Sequence, residues 1–197
     1  MRFLLVLIFT TVLSCCSFAQ IINQNDLEQI FKALDDGEYK TAFKKSTDIL
    51  NEPLNDSSEF RGIIVYANII SAAGLVSLNK MTHEKFLLTA SKFVGQKIIT
   101  PPYPCVDSGR VSFNSFGFRT DDAGLYGTVT STNKTATSIF SFEKYKFAIF
   151  VIPGDYLEKY VSCAGILDSI EVNPNKSTIW ISRITIRDTY LKEYKVE

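Results

Sequence analysis

The chain is poor in the residues that most often carry enzyme chemistry. Its 197 residues include one histidine, one tryptophan, two methionines and four cysteines. A Ser–His or Cys–His nucleophile system would have to use that one histidine, His83. Neither a G-x-S-x-G elbow nor a cysteine-protease context accompanies it. At the expected start of a helix, His83 reads as a solvated surface side chain. Zinc needs several His and Cys ligands, and the chain has too few unless carboxylates join them. There is no phosphate loop and no dinucleotide fingerprint. Asp121-Asp122 in "RTDDAGLYG" lacks the alternating oxygen ligands of a calcium loop and reads as a turn. No catalytic residue, cofactor or metal is therefore assigned. A pair of glycosidase carboxylates stays open, because such partners can be far apart in the chain.

An excess of charge of one sign is also missing. Basic and acidic residues number 21 each. Residues 20–100 hold nine basic against ten acidic residues, and 101–197 hold eleven of each. Neither half can neutralise a run of phosphates, which argues against nucleic acid as a partner. A polybasic membrane patch is absent too. No apolar run after the leader approaches 18 residues, so no transmembrane segment is expected in the mature chain.

The leader itself has a recognisable form. Arg2 supplies a positive start, and Phe3 to Leu13 is an apolar run too short to span a bilayer. Ser17-Phe18-Ala19 places small residues at the −3 and −1 positions before Gln20. Cleavage there makes residues 1–19 a signal peptide and the protein exported, periplasmic or extracellular. The ending "SFAQ" resembles export signals of Bacteroidetes-type secreted proteins. The alternative is a lipoprotein, with a lipid anchor on Cys15 or Cys16. After cleavage Cys105 and Cys163 remain. An even pair in an oxidising compartment is a disulfide candidate, closing a loop of about 58 residues worth roughly 4 kcal/mol in the chain-entropy model. Two buried free thiols are the other possibility. Asn55-Asp56-Ser57, Asn133-Lys134-Thr135 and Asn175-Lys176-Ser177 fit the glycosylation acceptor pattern, which matters only in a eukaryotic source.

What is present is core-forming material: 46% hydrophobic and 13% aromatic residues. Two textures meet near residue 100. Residues 24–96 read helical. Leu27, Ile30, Phe31 and Leu34 fall at helical spacing, with Asn25 and Glu28 placed as a capping box. Gly37 breaks this run. Tyr39, Ala42, Phe43, Ile49 and Leu50 mark a second helix, stopped by Pro53. A third runs over about 59–78, and Thr82 caps a fourth that holds Phe86, Leu87, Ala90 and Phe93. The proline-rich "TPPYPCVDSG", within 97–109, reads as an extended connector. Over 110–190 the period shifts towards two. Val111, Phe113 and Ser115 alternate with polar neighbours. "LYGTVTS", "TSIFSF", "KFAIFVI", "YVSCAGILDSIEV" and "STIWISRITI" read as strands. "VNPNKS" is a turn, and "PGDYLEKY" is a loop or single helical turn. The expected class is α+β.

The stretch "DDGEYKTAFKKSTDILNEP" resembles the centre of a tetratricopeptide repeat. Gly37 takes the turn, Tyr39 and Ala42 open the second helix, and Pro53 follows near its end. The first helix departs from that pattern, with Ile30 and Ala33 where a small residue and an aromatic are expected. A plain array of helical hairpins is the alternative. "YVSCAGILDSIEVNPNKSTIWISRITI" resembles the closing hairpin of OB-type modules, with Gly165 in the bend, and a short helical insertion before the fourth strand fits that order. A β-sandwich or half-barrel is the alternative. These resemblances imply a non-catalytic interaction protein with a protein or peptide partner. Two hairpins are too few for a self-sufficient solenoid. The last helix, around Phe86 to Phe93, should therefore pack on the β-domain. The competing function is an envelope enzyme or carbohydrate-binding protein using aromatics and carboxylates of the β-domain. Phe113, Phe116, Phe118, Tyr126, Phe140 and Trp180 are among the rings available, though most should fill the core.

Overall fold

The computed structural model describes residues 24–52, 59–110 and 112–194. The expected signal peptide, the candidate anchor cysteines Cys15 and Cys16, and the acceptor at Asn55 lie outside these residues. Four helices come first: α1 (Gln24–Asp35), α2 (Tyr39–Asn51), α3 (Glu59–Ser77) and α4 (His83–Ala90). Seven strands follow: β1 (Lys97–Ile99), β2 (Tyr103–Val106), β3 (Phe116–Asp121), β4 (Gly124–Thr132), β5 (Ile139–Phe147), β6 (Tyr160–Val172) and β7 (Trp180–Tyr194). The protein is α+β, as expected.

The helical hairpin follows from its small residues. Ile30 and Ala33 of α1, Ala42 of α2, and Ile64 and Ala67 of α3 are buried in one cluster. The alanines let three backbones approach closely. Gly37 has φ +74°, the left-handed conformation that ends α1 at little cost. The expected capping box is not formed at Asn25. That residue lies inside α1, where its side-chain oxygen accepts from Gln29 Nε2 at 3.0 Å. Thr82 does cap α4, accepting from the Lys85 backbone N–H at 3.2 Å.

α3 is apolar on all sides, as a helix enclosed by protein must be. It packs against α1 and α2 on one side and β1, β5 and β7 on the other. A Cβ on Gly62 would stand 3.0 Å from the Ile99 side chain, so α3 lies close on β1. The window Phe60–Ser77 does reach the length and apolarity of a membrane span, contrary to the sequence expectation, but 78% of it is buried inside the fold. Burial of that extent is what the core helix of a folded domain shows.

The strands form a single mixed sheet rather than the small antiparallel OB-like barrel or sandwich expected, because two of the pairings are parallel. β3, β4 and β5 make an antiparallel meander, β5 pairs in parallel with β7, and β7 pairs antiparallel with β6. β6 then pairs with β1 and β2, and β2 in parallel with β3. The sheet curls back towards itself there, but β2 meets β6 and β3 through only two residue pairs each. So short a junction does not make a regular barrel wall.

The stretch 97–109 departs from the extended connector expected of it. β1 and β2 both lie on the edge of β6, because Thr100 N–H donates to Cys163 O at 3.0 Å and Cys105 N–H to Lys159 O at 2.7 Å. Of the strand expected around Val111 to Ser115, Val111 lies outside the described residues and 112–115 are not strand. Phe113 is exposed, and β3 begins at Phe116. "KFAIFVI" contributes only its first two residues to β5. Ile149, Phe150 and Ile152 stand exposed in the following loop. The turn at Asp121-Asp122 is as expected, with the Asp121 carboxylate accepting from Ala123 N–H at 2.9 Å.

One hydrophobic core runs through helices and sheet. It holds Tyr39, Tyr66 and Phe86 together with Ile98, Phe116, Phe140, Tyr145 and Ile184. Phe86 is fully buried and α4 packs on β6, which is the expected contact of the last helix with the sheet.

Candidate functional site

A cleft of about 660 Å³ opens where the helices meet the sheet. Phe31 and Leu34 of α1, Tyr39 of α2 and Ile70 of α3 form one wall. Pro101, Pro102, Pro104 and Phe140 form the other, and Asp35, Asn114, Asn133 and Lys134 stand at the rim. The walls are held by packing: the Tyr39 and Phe140 rings meet edge to face at 5.3 Å between centroids. The prolines remove N–H donors and stiffen the backbone along one side.

The floor is polar. Tyr66 from α3, Tyr103 from β2 and Ser131 from β4 bring their hydroxyls together there. Tyr66 and Tyr103 oxygens are 2.6 Å apart, Tyr66 and Ser131 are 3.0 Å apart, and Tyr103 and Ser131 are 3.3 Å apart. Behind them lies Glu143 of β5, only 2% exposed. Ser131 donates to Glu143 Oε1 at 2.5 Å, Tyr66 donates to the same oxygen at 3.1 Å, and Tyr145 donates to Oε2. One helix, α3, and two strands, β4 and β5 itself, thus meet on a single carboxyl group. Glu143 takes part in no ion pair among the described residues.

Burial pushes the Glu143 carboxyl above the usual carboxylate range, against the pull of the hydroxyls of Ser131, Tyr145 and Tyr66. The same burial, and then the charge of Glu143, push the Tyr66, Tyr103 and Tyr145 phenols upward. All three therefore stay neutral donors in ordinary conditions. Ser141 sits two residues before Glu143 in β5, and its fully buried hydroxyl adds to that pull on the carboxyl.

The local fold explains why these groups face inward. The β4–β5 register shifts at Ser131/Thr132, a bulge. On β5 the shift leaves Phe140 buried against Tyr39, while Ser141, Glu143 and Tyr145 are buried on the alternate positions that follow. Asn114 stitches the bulge from outside, its Oδ1 accepting from Thr132 N–H at 2.9 Å and its Nδ2 donating to Thr132 Oγ1 at 3.1 Å.

Of the candidates for chemistry singled out from the sequence, Phe140 lines this cleft, while Cys105, Cys163 and His83 do not. Cys105 and Cys163 are buried free thiols, and the expected bridge is not formed. Cys105 lies opposite Lys159 and Cys163 opposite Thr100. The two cysteines are therefore not cross-strand partners of one another. Burial raises the Cys105 thiol to about 11 and pushes Cys163 well up, so neither is poised as a thiolate. His83 is buried, not solvated. Its Nε2 lies 3.2 Å from the Ser177 carbonyl oxygen, in the turn between β6 and β7. Of the aromatics, Phe116, Phe118, Phe140 and Tyr145 are buried, while Phe113 and Phe150 are exposed away from the cleft.

The floor residues escaped the sequence reading. Tyr66 and Asn68 are polar interruptions in "IIVYANII", and that signal was available. Asn68 turned out to tie α3 to α2, donating to Ser46 Oγ at 2.9 Å and Thr47 Oγ1 at 2.8 Å. Glu143 offers no such signal, because a glutamate in a strand reads as the solvent face. Comparison with protein-family models, curated proteins and solved structures found no match for this chain.

Proposed function

We propose that this is an exported, non-catalytic binding protein that holds an extended segment of a protein or peptide partner in the cleft between helices and sheet. The observation that carries the reading is the cleft itself. Its walls are aromatic and proline-rich, its floor is a cluster of hydroxyls, and its size suits a few side chains. Aromatic-lined grooves are among the surfaces that take extended peptide segments. Glu143, behind the floor, is engaged by three hydroxyls and does not line the cleft, which favours binding over acid–base work.

Two finer resemblances remain part of the proposal. The α1–α2 hairpin, with Gly37 in its turn and Ala42 at its crossing, supports a tetratricopeptide-like origin. The order β3-β4-β5-β7-β6, with its parallel β5–β7 pair, supports an OB-like one. The alternative of an envelope enzyme or carbohydrate-binding protein has less support. Of the sheet rings, Tyr103 and Phe140 line the cleft, while the exposed Phe113, Phe150, Tyr190 and Tyr194 do not.

Peptide-display selection on the chain tests the reading. Peptides enriched on the natural protein should bind at least tenfold more weakly to Asp35→Trp, which fills the rim from an exposed position. No enrichment, or equal binding to the filled variant, would reject the cleft as the site.

A further inference from the structure

We infer that the cleft selects a cationic group, the ammonium or guanidinium of a lysine or arginine in the bound segment, through Glu143 and the surrounding aromatic rings. The inference rests on the peptide-binding reading above and names what the site chooses.

The hydrogen count at the floor comes first. Each hydroxyl has one hydrogen to give and lone pairs to accept with. With the carboxyl ionised, Ser131 and Tyr66 spend their hydrogens on Glu143 Oε1 and Tyr145 spends its own on Oε2. Tyr103 has one hydrogen left, and Tyr66 oxygen stands 2.6 Å away to receive it. None of the three floor hydroxyls keeps a hydrogen to point into the cleft. What the floor offers a ligand is lone pairs, so it accepts from N–H groups and repels carboxylates and phosphates.

The charge count agrees. A buried carboxylate is ordinarily paired with a cation, and Glu143 has none among the described residues. The titratable groups that bear on it are Tyr66 from α3, Tyr103 from β2, Tyr145 from β5 and Cys163 from β6, all neutral in their ordinary state. Asp35 and Lys134 at the rim cancel, which leaves the floor as the source of net negative potential. Phe31, Tyr39, Tyr66, Tyr103 and Phe140 line the same space. Their ring faces attract cations, most strongly where water is excluded. A cation on the floor in turn favours the ionised carboxyl, so binding releases any proton that Glu143 carries.

The test is an NMR titration of the natural chain, observing the Tyr66 and Tyr103 rings. The probes are acetyl-Ala-Lys-Ala-amide, its norleucine analogue and n-butylammonium. The lysine peptide should bind at least tenfold tighter than the norleucine peptide and tighter than n-butylammonium. Glu143→Gln should reduce the lysine preference to twofold or less. Asp35→Asn should leave most of it. Should the glutamine variant not fold, the natural chain carries the test: its lysine preference should shrink on acidification, while lysine itself stays charged. Equal binding of lysine and norleucine peptides overturns the inference and leaves the cleft a peptide site. Binding of n-butylammonium as tight as the lysine peptide overturns the peptide source. Binding of none of the probes overturns both readings.

Discussion

Glu143 is where the physics of single residues is most exposed to test. Burial raises its pKa in the folded chain above the unfolded value. The folded state then holds that proton more tightly. Its contribution to stability is complete below the ordinary carboxylate range, near 4.3, and is lost as pH rises through the folded pKa. Glu143→Gln removes this dependence. Urea unfolding of the two proteins across pH should show the glutamine variant gaining on the natural chain as pH rises above the ordinary range. A difference that is constant, or that moves the other way, would mean that the hydroxyls of Ser131, Tyr145 and Tyr66 outweigh burial. This residue was not legible in the sequence, because alternation in "SIFSFEKYKF" makes Phe140 and Phe142 the inward positions. In the structure Phe142 is only half-buried, with its ring 5.9 Å from Trp180, while Glu143 is enclosed.

The elements show why some signals carried and others did not. Helix positions came through, since Gly37, Thr82 and the apolar spacing act locally. Bulges did not, because they depend on which strand lies alongside. Gly165 in β6, which the sequence places in a bend, is the exception. The β6–β7 register shifts between Ala164 and Ile166, and a Cβ on Gly165 would stand 2.7 Å from the Arg187 carbonyl oxygen. Backbone on that side cannot yield as a flexible side chain would. Gly165→Ala should therefore cost about 1–3 kcal/mol in chemical denaturation, the range of overpacked sites. Gly154→Ala, with nothing within 4 Å of the added carbon, should stay within about 0.5 kcal/mol. Equal effects at the two positions would show that the close approach at Gly165 is not rigid. The prolines at 101, 102 and 104 mislead for a related reason. They read as a linker, yet β1 and β2 around them need few N–H donors: β2 pairs briefly, and the Thr100 and Cys105 amides complete the contacts to β6.

At the scale of the molecule, the texture change near residue 100 marks a change of secondary structure within one shared core. Tyr39 meets Phe140 edge to face, Tyr66 reaches Glu143 across the interface, and α3 rests on β1. Local pattern could suggest that the last helix touches the sheet. It could not show that α3, with 19 residues, would be enclosed by both halves. The cleft, its floor and the buried carboxyl all depend on this union, since each half alone supplies only part of them. The direct measurement is equilibrium unfolding followed by two probes. Trp180, the chain's one tryptophan, reports the sheet by fluorescence, and far-ultraviolet dichroism at 222 nm reports the α-helices, all of which precede residue 100 among the described residues. One core predicts coincident transitions with a single midpoint. A helical signal lost at a different denaturant concentration from the Trp180 signal would contradict the shared core and, with it, a binding site built from both halves.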